Sequence, residues 1–349
     1  MIIHSPRQLL AAIPHLIGFH PDSSLILVAF DGKEVMTLVR IDWPSNAISL
    51  PRTINDAMTK ATEPSVVILA YTEAPVTLKD VVDLVQGGSE IDLLDVLWIR
   101  RGHWGSLMCE DESCCPINGH KVEDHTSTDV AFIVSGSSPF ESRDEMVARL
   151  ESEVLSAEEI EQRSQAQTIT NEKVRQSLDG NRTETQAQKN KQLSDDAEPP
   201  ASLQGIPSQS RNDIVQNVIV NLTDHDIDSW EQHAWLCEVV SDIRMRDAFL
   251  RILFDDSMLR PKVRATLITC VARASEKDIP ALATVLAGCA WLDGNGALAS
   301  VALNRALDVD PSYSLARLLN RAITAGVPPS VWSDSLEAVS YEECLAGAA

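Results

Sequence analysis

Basic residues are scarce in this sequence, which holds 29 lysines and arginines against 51 aspartates and glutamates, a formal net charge of −22. Phosphate groups repel a chain with such an excess of negative charge, so we expect neither non-specific binding to nucleic acid nor docking to anionic membranes.

Long apolar runs are also missing, because no stretch approaches the ~18 consecutive apolar residues of a membrane-spanning helix. The first residues show no basic leader followed by an apolar segment, so no targeting segment is expected.

The sequence also lacks the even number of regularly spaced cysteines that is typical of a disulfide framework. The seven cysteines lie at positions 109, 114, 115, 237, 270, 289 and 344. An odd number of scattered cysteines, in a chain without a visible leader, favours reduced thiols over a disulfide framework. The sequence therefore predicts a cytoplasmic protein.

Residues 1–155 carry the pattern of an α/β domain. Apolar runs at 24–30 and 34–41 flank Asp31-Gly32, a strong hairpin signal, and dense apolar runs at 65–71, 93–100 and 129–134 predict further strands. Helices are predicted at 6–17, 54–61, 77–85 and 142–154, between and after these strands. Alternating strands and helices predict an α/β sandwich, and the early hairpin makes its sheet mixed rather than purely parallel.

Residues 156–211 have a different composition. Polar residues dominate, and no Phe, Trp or Tyr occurs from position 141 to position 229. Such a segment buries too little apolar surface to offset its conformational entropy, so we predict a polar, largely disordered linker. Its first part, through Leu178, is compatible with an exposed helix.

Residues 212–349 are predicted to be entirely helical, with helices near 213–221, 229–241, 244–254, 259–274, 279–292, 296–308, 312–325 and 329–338. Within 280–325, Ala287, Ala299 and Ala306 precede Pro311 at the spacing of a tetratricopeptide-like hairpin. Only one such unit is visible, and stable solenoids need about three, so an ordinary helical hairpin is the alternative.

Reactive side chains are concentrated in one segment, which contains Cys109, Cys114, Cys115 and His120. Zinc prefers four sulfur or nitrogen ligands in a tetrahedron, usually supplied as closely spaced pairs. These four residues are therefore candidate zinc ligands. The alternative is a reduced cysteine cluster that braces an irregular loop, since adjacent cysteines rarely ligate one ion easily.

Two other kinds of site are weaker. Glu110, Asp111 and Glu112 would raise the pKa of a neighbouring thiol, which disfavours a catalytic cysteine. Residues 135–138 (Ser-Gly-Ser-Ser) follow a predicted strand and precede a helix, where free N–H groups can hold an anion, but the lysine and glycine spacing of a P-loop is missing. No Ser/His/Asp constellation rises above chance in the sequence.

Several stretches together resemble an actinobacterial domain-of-unknown-function family, the one numbered 4192. The matching stretches are residues 9–25, 67–72, 109–116, 243–247, 290–299 and 310–316, which span nearly the whole chain except the linker. The resemblance implies an actinobacterial or actinophage-like source. It implies no activity, cofactor or catalytic residue.

Three functions are compatible with these features. The flexible tether, the helical region and the lack of a catalytic constellation favour an interaction or adaptor protein whose partner is another protein. The rival is a metal-dependent enzyme with its site around Cys109 to His120. A third possibility is a binder of an anionic small molecule at residues 135–138.

Overall fold

A computed structural model describes residues 1–44, 46, 48–86, 92–123, 126–134, 137–185, 208–224, 229–327 and 329–347. The chain divides into two compact units. The first contains Met1–Met146 together with Ala325–Val327, and the second contains Val147–Thr324 and Pro328–Ala349. The prediction of an α/β N-terminal part with a mixed sheet, followed by an entirely helical C-terminal part, is confirmed.

The first unit is built on a mixed six-stranded sheet in the order β2-β1-β4-β6-β7-β8. Strand β4 runs parallel to β6, and the other neighbouring pairs are antiparallel. The strands are β1 (Ser24–Asp31), β2 (Glu34–Asp42), β4 (Pro64–Tyr71), β6 (Leu93–Arg100), β7 (His103–Ser106) and β8 (His120–Lys121). The short β3 (Ile48–Ser49) and β5 (Val85–Gln86) form a second, parallel pair.

Helices α1 (Pro6–Ile17), α2 (Arg52–Lys60) and α3 (Leu78–Leu84) have their predicted positions. Ser5 caps the first helix, and Gly18 ends it in the left-handed region at φ +84°. Ile54 of α2 and Val81 of α3 pack on one face of the sheet against alternate residues of β1, β4 and β6, namely Leu25, Leu27, Ala29, Val66, Ile68, Ala70 and Val96. The β-branched runs therefore form the buried centre of the sheet, as their composition predicts.

The predicted strand at 129–134 is wrong, because this segment forms helix α4 (Ser127–Val134). Thr126 and Asp129 form a capping box: the Asp129 carboxylate accepts the Thr126 N–H at 2.7 Å, and Thr126 Oγ1 accepts the Asp129 N–H at 3.2 Å. This local bonding starts a helix where the apolar composition alone favours a strand. The following helix, α5 (Arg143–Ala148), is shorter than predicted.

The second unit contains ten helices among the described residues, and the eight that were predicted all form. They are α6 (Ala157–Thr185), α7 (Ser208–Asp224), α8 (Trp230–Ser241), α9 (Ile243–Asp255), α10 (Arg260–Arg273), α11 (Ile279–Leu292), α12 (Gly296–Val309), α13 (Ser314–Thr324), α14 (Pro329–Glu337) and α15 (Tyr341–Ala346). Every residue of α11 from Ile279 to Trp291 is buried, and this helix packs against α12. The tetratricopeptide interpretation of this pair stays a prediction.

The polar segment predicted as a linker begins with α6, which packs against α8. Ala166, Thr170 and Val174 lie at four-residue intervals and are buried, and Gln167 Nε2 donates to Glu238 Oε1 at 2.6 Å. Residues 186–207, which fall in the predicted flexible part, lie outside the described residues. Among the described helices, none is both long and apolar enough to cross a membrane.

Candidate metal centre between β7 and β8

The three cysteines among the candidate zinc ligands lie on the loop 107–119, which joins β7 to β8, and His120 is the first residue of β8. Ser106, the last residue of β7, fixes the start of this loop. Its Oγ donates to Asp95 Oδ1 at 2.6 Å and accepts the N–H groups of Met108 and Cys109 at 3.0 and 3.1 Å. The position of Cys109 is therefore set by the edge of the sheet.

A tight turn brings the other two cysteines back towards Cys109. The carbonyl oxygen of Asp111 accepts the N–H groups of Cys114 and Cys115 at 3.0 and 2.7 Å. The Asp111 carboxylate accepts the hydroxyl and the N–H of Ser113 at 2.7 and 2.9 Å, and these bonds lower the pKa of Asp111. Asp111 thus stabilises the turn through both its carbonyl oxygen and its carboxylate.

The three thiols converge. The Sγ atoms of Cys109, Cys114 and Cys115 all lie within 4.8 Å of one another, with Cys114 exposed and the other two half-buried. Tetrahedral zinc with Zn–S bonds of about 2.3 Å places its sulfur ligands about 3.8 Å apart, so small side-chain rotations are sufficient. Adjacency of Cys114 and Cys115 is therefore no obstacle here, because the turn directs both side chains to the same point.

The same environment disfavours a reactive thiol in the absence of a cation. Burial, followed by the neighbouring Cys109 thiol, raises the pKa of Cys115 to about 11. A thiol with this pKa is protonated at neutral pH and is a poor nucleophile. The arrangement is thus better suited to metal binding than to thiol catalysis.

His120 does not join the three thiols. Its Nε2 donates to the carbonyl oxygen of Cys114 at 2.8 Å, and its ring lies against Trp104 with the ring centroids 4.9 Å apart. Of the four predicted ligands, the structure thus brings three together and uses the fourth to hold the loop.

A small pocket of about 150 Å³ borders the same loop. Leu107 and Ile117, which flank the cysteines, line it together with Trp98 and Arg100 of β6 and with the segment after β4 that includes Thr72. The Arg100 guanidinium lies 5.5 Å from the centroid of the Trp98 ring. The pocket therefore lies where the parallel strands β4 and β6 end, the usual place for ligands in open α/β sheets.

A family model described as "Domain of unknown function (DUF4192)" matches residues 6–330, which is nearly the whole chain. The chain belongs to this family. The resemblance seen in the sequence is therefore confirmed. No curated protein and no solved structure matches the sequence significantly. The family description assigns no activity.

The anion site predicted at residues 135–138 gains no support in this DUF4192 chain. Ser135 and Gly136 lie outside the described residues, and the segment follows helix α4 rather than a strand. The Ser137 N–H already donates to the carbonyl oxygen of Phe132 at 2.9 Å. One of the expected anion donors is therefore occupied.

Sequence reasoning missed a polar cluster in the α/β unit of this DUF4192 chain. His15 of α1 lies 3.0 Å from the Ser137 hydroxyl through Nδ1 and 3.5 Å from the Asp129 carboxylate through Nε2. More than a hundred residues separate His15 from the other two, so no local spacing connects them. The capping spacing from Thr126 to Asp129 was the visible signal, and it indicates a helix start rather than a site.

Proposed function

We propose that this DUF4192 protein binds one zinc ion through the thiolates of Cys109, Cys114 and Cys115. The observation that carries the proposal is the mutual approach of the three Sγ atoms within 4.8 Å, on a loop whose hydrogen bonds hold them there. Thiolates are soft ligands that select zinc, copper(I) and iron–sulfur clusters, and a tetrahedral thiolate site is typical of zinc.

The surroundings support a cation. Glu110, Asp111 and Glu112 lie within the ligand segment and add negative charge around it. Zinc-bound thiols are deprotonated, so the metal reverses the unfavourable charge balance that the acidic residues impose on free thiolates. A cytoplasmic location, where thiols stay reduced, is part of the proposal.

Three protein ligands leave the fourth zinc position open. Structural zinc sites are closed by four protein ligands, whereas catalytic sites keep one position for water or substrate. Among the described residues, only the three cysteines bring ligand atoms together here, so the fourth position is left for an external ligand. The function proposed is therefore that of a metal-dependent enzyme: Cys109, Cys114 and Cys115 would hold a zinc ion that would supply a Lewis acid next to the loop bordering the pocket of Trp98 and Arg100.

Elemental mass spectrometry tests the site. The full chain, purified under reducing conditions without chelator or histidine tag, is expected to carry about one zinc per molecule. Each of Cys109→Ser, Cys114→Ser and Cys115→Ser should lose most of that zinc, because two thiolates bind zinc far more weakly than three. Cys344→Ser is the matched control, since Cys344 is buried in the helical unit.

The zinc site is wrong if the unmodified chain contains no metal, or if the three loop variants keep it. His120→Ala tests the open position separately. We expect it to retain about one zinc, because His120 is not among the residues whose ligand atoms converge. Loss of zinc in His120→Ala would contradict the three-ligand site, because zinc binding would then need His120 as a ligand or as the residue that holds the Cys114 carbonyl.

The interaction-protein interpretation of residues 212–349 stays a prediction. Apolar side chains such as Ile243, Met258 and Leu318 are exposed on this unit, at 59%, 84% and 61%. Affinity capture with the full chain at moderate salt should recover a stoichiometric protein partner if these side chains form a docking surface. Recovery of the bait alone under several conditions would count against it.

A further inference from the structure

Three side chains in the α/β unit have the contacts of a nucleophile, a base and an orienting acid. Ser137 Oγ lies 3.0 Å from His15 Nδ1, within hydrogen-bond reach. Asp129 Oδ1 lies 3.5 Å from His15 Nε2, on the opposite side of the same ring. Such pairs are often long in structures without substrate and shorten when it binds. The histidine therefore lies between a hydroxyl and a carboxylate.

The acid is held by bonds that leave one oxygen for the histidine. Asp129 Oδ2 accepts the N–H and the hydroxyl of Thr126 at 2.7 and 2.8 Å, while Oδ1 faces His15. The His15 ring stacks on Phe132 with centroids 4.7 Å apart and planes 4° apart, and its side chain is only 4% exposed. Both the direction and the plane of the imidazole are therefore fixed.

The protonation pattern suits a general base. When Asp129 accepts the proton of Nε2, the lone pair of Nδ1 remains to accept the Ser137 proton. The two ring nitrogens exchange the roles that they have in chymotrypsin-type triads, but the chemistry requires only one donor and one acceptor. The pKa of His15 is lowered, chiefly by burial; the nearby Asp129 opposes this shift, and His20 lowers the pKa further.

We propose that Ser137 and His15 are catalytic residues for ester hydrolysis and that Asp129 positions His15. Ser137 Oγ attacks the acyl carbon while its proton passes to His15 Nδ1. The bond to the alcohol breaks, and the alcohol leaves with that proton, which gives an acyl-serine. Water then attacks the acyl carbon, gives a proton to His15, and the bond to Oγ breaks. The acid leaves, and Ser137 regains its proton from His15.

The neighbourhood of Ser137 favours a particular substrate class. In the described part of the chain, the N–H of Ser138 donates no hydrogen bond, and the N–H after the nucleophile is a common oxyanion donor. Phe132, which stacks on His15, also lines a groove of about 370 Å³ whose other apolar residues are Met1, Ile2, Ile3 and Ala131 and whose polar residues are Gln8, Ser127 and Thr128. We therefore infer that the substrate is a carboxylic ester with an apolar acyl group.

An alkyl fluorophosphonate is the direct probe, because it reacts with an activated serine: the Oγ–P bond forms, fluoride leaves, and His15 takes the proton. We expect the full chain to be labelled stoichiometrically, with the adduct on the peptide that contains Ser137. Ser137→Ala should abolish labelling. Ser142→Ala is the matched control, since this serine caps α5 at Glu145 and should leave labelling intact.

Variants of the other two residues separate catalysis from folding. His15→Gln should slow labelling about 100-fold or more, the typical contribution of a general base. Asp129→Asn should lower the maximal labelling rate at least about tenfold and leave the half-saturating probe concentration unchanged, which a purely structural role would not produce. Circular dichroism checks that each variant is folded.

Two results would overturn the proposal. A folded, unmodified chain that is not labelled would mean that the three contacts only fasten α4 to α1. Labelling that survives in Ser137→Ala would place the reactive serine elsewhere. Neither result depends on zinc, so the test is independent of the metal centre.

Discussion

Gly119→Ala is expected to destabilise the α/β unit by about 2–5 kcal/mol and to weaken zinc binding. Gly119 has φ +72°, a conformation that costs an L side chain about 1–2 kcal/mol. A Cβ atom at this position would lie 2.5 Å from Trp98 Cη2 and 2.6 Å from the backbone oxygen of Trp104. Overpacking of this kind adds about 1–3 kcal/mol. Because Gly119 follows Cys115 by four residues, its displacement also opens the loop of the three thiols.

Gly102→Ala separates the cost of backbone strain from the cost of overpacking against Trp98. Gly102 has the same φ of +72°, but nothing lies within 4 Å of a Cβ atom built there. It should cost only the backbone strain, about 1–2 kcal/mol, and leave zinc binding unchanged. Urea denaturation of the full chain, followed by circular dichroism, measures the change in stability. The zinc content of each variant measures the change in zinc binding. Equal effects of the two variants would show that the close packing on Trp98 is not important.

Asp242→Ala is expected to destabilise the helical unit by about 2–4 kcal/mol, the loss of a charged hydrogen bond together with the loss of a helix cap. Asp242 Oδ2 lies 3.5 Å from Arg211 Nε, and its Oδ1 accepts the Met245 N–H at 2.9 Å as the cap of α9. Arg211 and Asp242 are 4% and 9% exposed. Removing the carboxylate takes a charged acceptor away from the buried Arg211 guanidinium and leaves the N-terminus of α9 uncapped.

Ser229→Ala is the matched control for Asp242→Ala. Ser229 caps α8 through a capping box and is exposed, whereas Asp242 is buried. Its replacement should cost about 1 kcal/mol, the typical loss of a cap. Hydrogen exchange of peptides from α8 and α9 locates both effects. If the two variants lose the same stability, the buried pair with Arg211 contributes nothing beyond the cap.

Elements with strong local patterns were predictable from the sequence. Strands β1, β4 and β6 are dense apolar runs buried in the sheet, and helices α7 to α14 carry apolar periodicity with recognisable ends. Strands β7 and β8 were not predictable, because they have only four and two residues. Their pairing depends on Gly105 and Gly119, which leave room for the Trp98 indole across the sheet.

The two candidate sites also differ in whether a local sequence pattern reveals them. The thiols of Cys109, Cys114 and Cys115 were identified because their ligand types are close in sequence, although their convergence depends on the Asp111 turn. Asp129 was assigned to a strand, and its contact with His15 depends on α4 packing against α1. Contacts between distant segments of this kind have no local pattern, so only the fold reveals them.

X-ray absorption at the zinc edge, on the full chain loaded with one equivalent of zinc, tests the central claim most directly. The three-thiolate site predicts three sulfur scatterers at about 2.3 Å and one oxygen or nitrogen at about 2.0–2.2 Å. A first shell of oxygen and nitrogen alone would contradict the account, because zinc would then bind elsewhere on this acidic chain.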